Sequence, residues 1–186
     1  MKKAYIFLAD GFEEIEALTV VDLLRRAGVE AVTVSIQKEK SATGSHGIKV
    51  DTDFLLSELK GNLADAIVLP GGMPGTTNLE NCDELMEMVL GMHAAGSIIA
   101  AICAAPSIFA HLGLLDGKKA TSYPCFEEEL SMADYQYDPV VADGKIVTGR
   151  GAGTAIDFSL KLIEILEGEE KAKEIAEEII YKAKGN

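Results

Sequence analysis

Short, almost wholly apolar runs alternate along this chain with longer amphipathic segments, and this alternation restricts the fold more than any other feature. The apolar runs lie at 4–9, 31–36, 65–72 and 97–102. Strands buried on both faces have this composition, because in a parallel sheet helices cover both faces. The amphipathic segments at 13–27 and 78–95 carry apolar residues at helical spacing. The order predicts an α/β fold, a mainly parallel sheet with helices on both faces.

The remaining segments complete this pattern. They predict a hairpin at 41–54, a short helix at 106–112, a hairpin at 140–148 on an Asp143-Gly144 turn, and helices at 154–167 and 169–184. In the last helix, apolar residues form one stripe: Ala172, Ile175, Ala176, Ile179 and Ala183. No repeat, linker or low-complexity stretch interrupts the chain. We therefore expect one domain over residues 1–186.

The charge of the chain limits its partners. The formal net charge is −13 over 186 residues, which disfavours nucleic acid and anionic membranes because both would repel it. Three cysteines are an odd number without paired spacing, so no disulfide framework is indicated. Neither a signal peptide nor a run of about 18 apolar residues is found. The sequence predicts a cytoplasmic protein with reduced thiols and a small molecule or another protein as partner.

Three loops of the predicted sheet are expected to meet. Open α/β sheets bind ligands at the carboxyl ends of their strands. The loops after Ala9, at 70–75 and at Cys103 all follow predicted strands. The candidate functional site therefore lies where these loops converge.

Cys103 stands at the end of one of these strands, in the stretch AAICAAP. A nucleophile at a sharp strand-to-helix turn needs small neighbours, which Ala104 and Ala105 supply, and Pro106 suits the first turn of a helix. Backbone N–H groups at such a turn lower a thiol's pKa and hold an oxyanion. A buried cysteine that only fills space has the same local sequence. The stretch alone favours neither interpretation.

Two further loops carry candidate partners for the thiol. Gly71 and Gly72 allow the backbone to approach a ligand, and the N–H groups of Gly72 and Ala104 together form a possible oxyanion hole. Glu16 follows the apolar Ile15 and could therefore lie toward the sheet end rather than in solvent. An ionised carboxyl there would raise the pKa of the thiol, whereas a protonated one would donate a hydrogen bond to the thiolate.

The three histidines do not form a catalytic dyad with Cys103. His111 lies eight residues further along the same predicted helix, which is roughly 12 Å along the axis. His46 falls in a hairpin and His93 at the far end of another helix, so we expect all three at the surface. None has metal-ligand spacing with Cys, Asp or Glu. A Cys-His-carboxylate protease triad is weakly supported, and we expect no metal.

Four sequence blocks together resemble the ThiJ/PfpI superfamily. They are FLADGFEEIEA, VLPGGMPGTTNL, AAICAAPSIFA and GRGAGTAIDFSL, in this order. The similarity runs from Lys2 to about Gly168, and the branch is that of the Parkinson-associated deglycase/chaperone and its bacterial relatives. The resemblance implies a flavodoxin-like three-layer sandwich with a nucleophile elbow, usually assembled as a homodimer.

The resemblance also assigns roles to residues of the chain. It implies a reactive thiol at Cys103, a protonated glutamate at Glu16 that hydrogen-bonds the thiol, and oxyanion-hole amides at Gly72 and Ala104. Gly71 and Tyr123 are the expected substrate contacts. No cofactor is implied. Members act on methylglyoxal or on glycated side chains, and others are described as redox-sensing chaperones.

The chain departs from parts of that pattern. Protease-like members carry His directly after the cysteine, where this chain has Ala104, so peptidase or amidotransferase activity is disfavoured. Tyr123 stands before Pro124, where several relatives have histidine, so histidine base catalysis is also disfavoured. Cys125 is a candidate resolving thiol, although the interpretation as an incidental loop cysteine is favoured.

Three hypotheses remain. The first is an enzyme acting on methylglyoxal or its protein adducts through Cys103 and Glu16. The second is a redox sensor or chaperone that uses the same oxidisable thiol, and the third is an inert pocket. The sequence does not choose between the first two, because both need the same thiolate.

Overall fold

The computed structural model describes residues 1–59, 61 and 63–181. In this part of the chain the strands are β1 (Lys3–Leu8), β2 (Glu30–Ser35), β3 (Ser41–Thr43), β4 (Lys49–Asp51), β5 (Phe54–Leu55), β6 (Ala66–Leu69), β7 (Ile98–Ile102), β8 (Lys119–Ala120), β9 (Asp134–Tyr135), β10 (Val140–Asp143) and β11 (Ile146–Gly149). The α-helices are α1 (Glu14–Arg26), α2 (Gly75–Glu80), α3 (Asp83–Ala94), α4 (Pro106–His111), α5 (Ala155–Glu167) and α6 (Glu169–Glu178). None of these helices has the length and apolar composition needed to cross a membrane.

Seven strands form the central sheet, in the order β10-β11-β7-β6-β1-β2-β5. All neighbouring pairs are parallel except the β10–β11 hairpin at one edge. The chain passes from β1 to β2 on one side and then returns to β6 on the other. The direction of winding therefore reverses between β2 and β6, with β1 at the switch point.

Helices cover both faces of the sheet, as predicted. On one face, α1, α5 and α6 pack with the inward side chains of β1 and β7 around Phe12 and Phe158. On the other, α2, α3 and α4 pack around Phe7 and Phe109. Burying one such aromatic ring contributes about 2 to 3 kcal/mol. The two cores fix the strands from both sides and hold their carboxyl ends in place.

Most predicted elements are confirmed within one or two residues, and three are corrected. The helix predicted at 78–95 is two helices, α2 and α3, because Asn81 and the extended Cys82 interrupt it. Polar residues such as Asn and Asp favour helix ends over interiors. The segment 41–54 does contain a hairpin, formed by β3 and β4, but its end pairs in parallel with β2 as the edge strand β5.

The last helix is shorter than predicted. α6 ends at Glu178, and Ile180 adopts a left-handed backbone with φ of 56°. Tyr181 then turns back to α5, where its hydroxyl donates to Asp157 at 2.6 Å. That contact redirects the chain where the apolar stripe alone predicts more helix. Ala183, the last residue of the predicted stripe, lies outside the described residues.

Candidate active site

The three predicted loops meet at the carboxyl ends of β1, β6 and β7. These strands are adjacent in the sheet, and the loop after β1 leads into the first turn of α1. The backbone N–H of Glu13, in this loop, donates to the carbonyl of Gly71 at 2.9 Å. The site therefore lies at the switch point of the sheet, where folds of this kind bind ligands.

Cys103 occupies a strained turn between β7 and α4. Its φ is 66°, a left-handed conformation that costs a residue other than glycine about 1 to 3 kcal/mol. Two backbone hydrogen bonds hold the turn: Cys103 N–H donates to Gly149 at 2.9 Å, and Tyr123 N–H donates to the Cys103 carbonyl at 2.7 Å. Ala104 and Ala105 are buried. The sharp strand-to-helix turn predicted from small residues is present, and it leaves the thiol half-buried.

Glu16 is fully buried beside this thiol, with 0% of its surface exposed. Its Oε2 accepts the N–H of Gly71 at 2.8 Å, while its Oε1 has no hydrogen-bond partner among the described residues. Burial raises the pKa of Glu16 to about 7, and the neighbouring Cys103 and the Gly71 N–H only partly oppose that rise. Near neutral pH this carboxyl therefore exchanges a proton readily.

Gly71 is what allows the acid and the thiol to approach each other. A methyl group on Gly71 would lie 2.7 Å from Cys103 Cβ and 2.7 Å from Glu16 Oε2, closer than packed atoms come. Its N–H is already engaged by Glu16 and its carbonyl by Glu13. Gly71 thus holds the start of the helix that carries the acid. The expectation that it also contacts substrate stays a prediction.

The thiol and the carboxyl are electrostatically coupled. Burial raises the pKa of the Cys103 thiol, and the charge and hydrogen bonding of an ionised Glu16 raise it further. The backbone N–H groups of Ala104 and Gly72 act in the opposite direction. These are the two predicted oxyanion-hole amides, and both are directed at the sulfur. Cys103 and Glu16 therefore titrate as a pair.

Other predicted residues surround this centre. Tyr123 is 49% exposed, and its ring lies near Gly151, at the rim of the loop over Cys103. Cys125 is exposed. His46 and His111 are exposed as expected, whereas His93 is half-buried. His111 contacts Glu80 and Glu129, and it lies eight residues beyond Cys103 along the chain.

One cluster of charged side chains could not be predicted from the local sequence. Glu13 and Glu14, at the start of α1, meet His46 from the loop between β3 and β4. The histidine lies more than 30 residues further along the chain, so no spacing rule connects the three. Only the packing of the hairpin over α1 brings them together.

A parallel α/β sheet with a cysteine at a strained elbow and a buried glutamate beside it defines a class of α/β proteins that bring a thiol and a carboxyl together at the switch point of the sheet. Within that class, the sequence pattern of the DJ-1/PfpI family matches residues 2–165. The chain belongs to the DJ-1/PfpI family. This confirms the resemblance and the fold inferred from the four sequence blocks.

Relatives and solved structures agree with this assignment. The chain is 43% identical to "Protein DJ-1 homolog B" of Arabidopsis thaliana over 183 residues, 97% of this chain and 42% of that protein. It is 31% identical to a glutathione-independent glyoxalase of Caenorhabditis elegans, with 94% of each chain covered. Oxidised DJ-1 of Toxoplasma gondii has the same fold, with a TM-score of 0.94 at 39% identity over 98% of this chain and all of that one. The chain spans less than half the length of the Arabidopsis protein, and the family includes glyoxalase-type enzymes.

Proposed function

We propose that this chain is a cofactor-free enzyme that converts methylglyoxal to lactate, using Cys103 as nucleophile and Glu16 as proton carrier. The observation that carries the proposal is the buried Cys103–Glu16 pair at the strained elbow, with Oε1 of Glu16 free of other partners. The similarity to a glyoxalase that does not need glutathione supports the same reaction, because such an enzyme must supply its own thiol.

The first step forms a carbon–sulfur bond. Glu16 as carboxylate accepts the thiol proton, and the Cys103 sulfur adds to the aldehyde carbon of methylglyoxal to give a hemithioacetal. The oxyanion formed on the aldehyde oxygen is held by the N–H groups of Gly72 and Ala104. Glu16, now protonated, returns its proton to that oxygen.

The second stage moves hydrogen within the bound substrate. Glu16 removes the proton from the former aldehyde carbon and returns it to the neighbouring carbon, while the hydroxyl proton passes to the former ketone oxygen, which converts the hemithioacetal to a thioester of lactate. One water molecule then hydrolyses the thioester, releasing lactate and the free thiol. The sum is methylglyoxal plus water to lactate, with no oxidant or reductant consumed.

The proton count of the pair sets the pH dependence. Below pH 7 the pair holds two protons, one on the thiol and one on the carboxyl. Above the pKa of about 7 of Glu16 it holds one, which either group carries, and only this form gives a thiolate next to a neutral acid. We therefore expect kcat/KM to rise as the pH passes through 7.

The test is lactate production from methylglyoxal by purified protein without glutathione. We expect Cys103→Ser to abolish turnover and Glu16→Gln to reduce kcat about 100-fold or more, since Gln cannot carry a proton. Cys125→Ser, which removes an exposed thiol, is the matched control and should retain full activity. Equal rates in the wild type and Glu16→Gln would refute the mechanism. Release of lactate from glycated peptides in the same assay tests protein adducts as substrates.

A second candidate function uses the same thiol as an oxidation sensor, in a chaperone or stress-response role. The observation that favours it is the oxidised state in which the Toxoplasma relative was solved. A thiolate beside backbone N–H groups is readily oxidised to sulfenic and then sulfinic acid. Mass spectrometry after mild peroxide separates the two functions: selective oxidation at Cys103 without lactate formation favours the sensor, whereas oxidation at Cys82 or Cys125 instead argues against it.

We also propose a homodimer formed through the exposed side of α1. Ile15 and Leu18, three residues apart on this helix, are 55% and 37% exposed, and Ile48, whose N–H donates to Glu14, is 54% exposed. Exposed apolar side chains that form a patch mark interaction surfaces. A second copy is the partner that the family resemblance implies. Light scattering of the wild type and Leu18→Glu measures the mass directly, and a monomeric wild type would rule the dimer out.

A further inference from the structure

A cluster of three potential metal ligands lies outside the Cys103 pair, between the start of α1 and the β3–β4 loop. One carboxylate oxygen each from Glu13 and Glu14 and a ring nitrogen of His46 all lie within 4.8 Å of one another. His46 Nδ1 is 2.9 Å from Glu14 Oε2 and 3.6 Å from Glu13 Oε2. Unlike a surface group of acids, this cluster includes an imidazole whose single nitrogen faces both carboxylates.

The hydroxyl of Ser45 completes a fourth corner. Its Oγ lies 3.2 Å from Glu13 Oε2, 3.4 Å from Glu14 Oε2 and 3.1 Å from His46 Nδ1. A zinc ion with four bonds of about 2.0 Å in tetrahedral geometry requires its ligand atoms to be about 3.3 Å apart. The separations from Ser45 and His46 fall close to that value, so an ion at the centre would need little movement of these side chains.

The backbone holds the inner ligand in position. Glu14 is buried, and its Oε1 accepts the N–H groups of His46 at 2.8 Å and of Ile48 at 3.4 Å. These bonds fix the carboxylate and leave Oε2 directed into the cluster. Metal-binding carboxylates are usually fixed by hydrogen bonds of this kind. The arrangement therefore pre-organises one ligand, and Ser45 and His46 are exposed in the single chain.

We propose that Glu13, Glu14 and His46 form a binding site for one Zn²⁺ ion, with the fourth position next to the Ser45 hydroxyl. Two carboxylates and a neutral imidazole balance the charge of the ion, and this mixed oxygen and nitrogen set suits zinc. Binding replaces the proton between His46 Nδ1 and Glu14 Oε2 with the metal: an imidazolium releases one proton, whereas a neutral ring moves its proton to Nε2 and releases none.

The chain offers a matched control in His111. This histidine is also exposed and also contacts two glutamates, but Glu80 faces its Nδ1 and Glu129 faces its Nε2. The two carboxylates therefore lie on opposite sides of the ring and do not converge on one ion. His111→Asn removes the same type of residue from a similar charge environment without touching the proposed site.

The experiment titrates the metal-free full-length chain with Zn²⁺, using a chromophoric zinc chelator as competitor. We expect one ion per chain in the wild type and in His111→Asn, and affinity lower by about tenfold or more in His46→Asn. Glu13→Gln is the second variant, because its backbone contact to Gly71 does not need the carboxylate, and thermal unfolding verifies that both variants fold. We expect it to weaken binding as well.

Co²⁺ in place of zinc distinguishes this site from the cysteines. We expect visible absorption of tetrahedral cobalt without the ultraviolet band of thiolate-to-cobalt charge transfer, and loss of that absorption in His46→Asn. A thiolate band would place the metal on cysteine and overturn the proposal. No binding, or equal binding in His46→Asn and the wild type, would overturn it too.

Discussion

Glu14 and Glu16 lie two residues apart in the first turn of α1, and both are buried, yet their carboxyls titrate in opposite directions. Burial raises the pKa of Glu16 to about 7, with the Cys103 thiol and one backbone N–H in opposition. For Glu14, burial also acts upward, but the His46 ring and the N–H groups of His46 and Ile48 outweigh it and hold the pKa at about 2. The number of donors that reach a carboxylate, and not burial alone, decides its charge.

The two environments have different uses. The Glu14 carboxylate stays ionised, and its Oε1 ties the β3–β4 loop to α1. The Glu16 carboxyl has an unpartnered oxygen next to a thiol, so its proton is exchangeable. A glycine accompanies each: Gly71 lies against Glu16, and Gly44 lies against Glu14.

The largest expected effect is on the pH dependence of stability in Glu16→Gln. A carboxyl with a raised folded-state pKa favours folding below its unfolded pKa of 4.5 and loses that contribution as the pH rises through about 7. Between pH 4 and pH 8, the free energy of unfolding of the wild type should therefore fall by about 3 kcal/mol more than that of the variant. Urea unfolding at both pH values measures this, and parallel curves for the two proteins would contradict the buried, protonated acid.

A smaller effect on stability is expected when a methyl group is added at Gly71 or at Gly44. Gly71→Ala places a methyl group against Cys103, Glu16 and the Ile102 carbonyl, and overpacking of this kind should destabilise the fold by about 2 kcal/mol. The atoms nearest to the methyl group of Gly44→Ala belong to the Glu14 side chain, and we expect a loss of about 1 kcal/mol. Thermal unfolding ranks the two variants.

The control variant needs a glycine with open space and an ordinary backbone. Gly47→Ala is not suitable, because the φ of Gly47 is +80°. Gly153→Ala has open space around it and serves better. A larger loss of thermal stability in Gly44→Ala than in Gly71→Ala would contradict the expectation that the Glu16 site is packed more tightly than the Glu14 site.

The smallest effect is the opposite pH dependence of Glu14→Gln. A depressed folded-state pKa stabilises the fold above the unfolded value of 4.5, and the contribution disappears as the pH falls through about 2. Because the His46 ring is exposed to solvent, we expect the variant to lose only about 1 kcal/mol at pH 7 and progressively less below pH 4. Glu13→Gln, measured in parallel, reports the effect of removing a neighbouring charge. If the stability difference between the wild type and Glu14→Gln grew as the pH fell, the pKa of Glu14 would not be lowered in the folded state.

Much of the fold follows from the chain's own pattern. The apolar runs place β1, β2, β6 and β7 correctly because strands buried on both faces need no alternation. The strained turn at Cys103 was predictable from Ala104, Ala105 and Pro106, since only small residues fit there. The break between α2 and α3 was less visible, because apolar spacing continues across Asn81 and Cys82.

The candidate site was only partly predictable. Cys103, Gly72 and Ala104 follow strands in a recognisable way, and the family resemblance identified Glu16. Neither spacing nor composition distinguishes the chemistry of Glu14 from that of Glu16, because both are first-turn acids of the same helix. Their difference depends on residues that arrive from the β3–β4 loop and from the end of β6.

The sequence by itself determined the order of strands and helices and the elbow at which the thiol stands, because these depend on neighbours along the chain. The tertiary structure alone decided which carboxyl keeps its proton and which gathers hydrogen-bond donors around His46. Burial and hydrogen bonding are set by contacts between residues that are distant in sequence, and the pKa of a carboxyl responds to those contacts and not to its position along the helix.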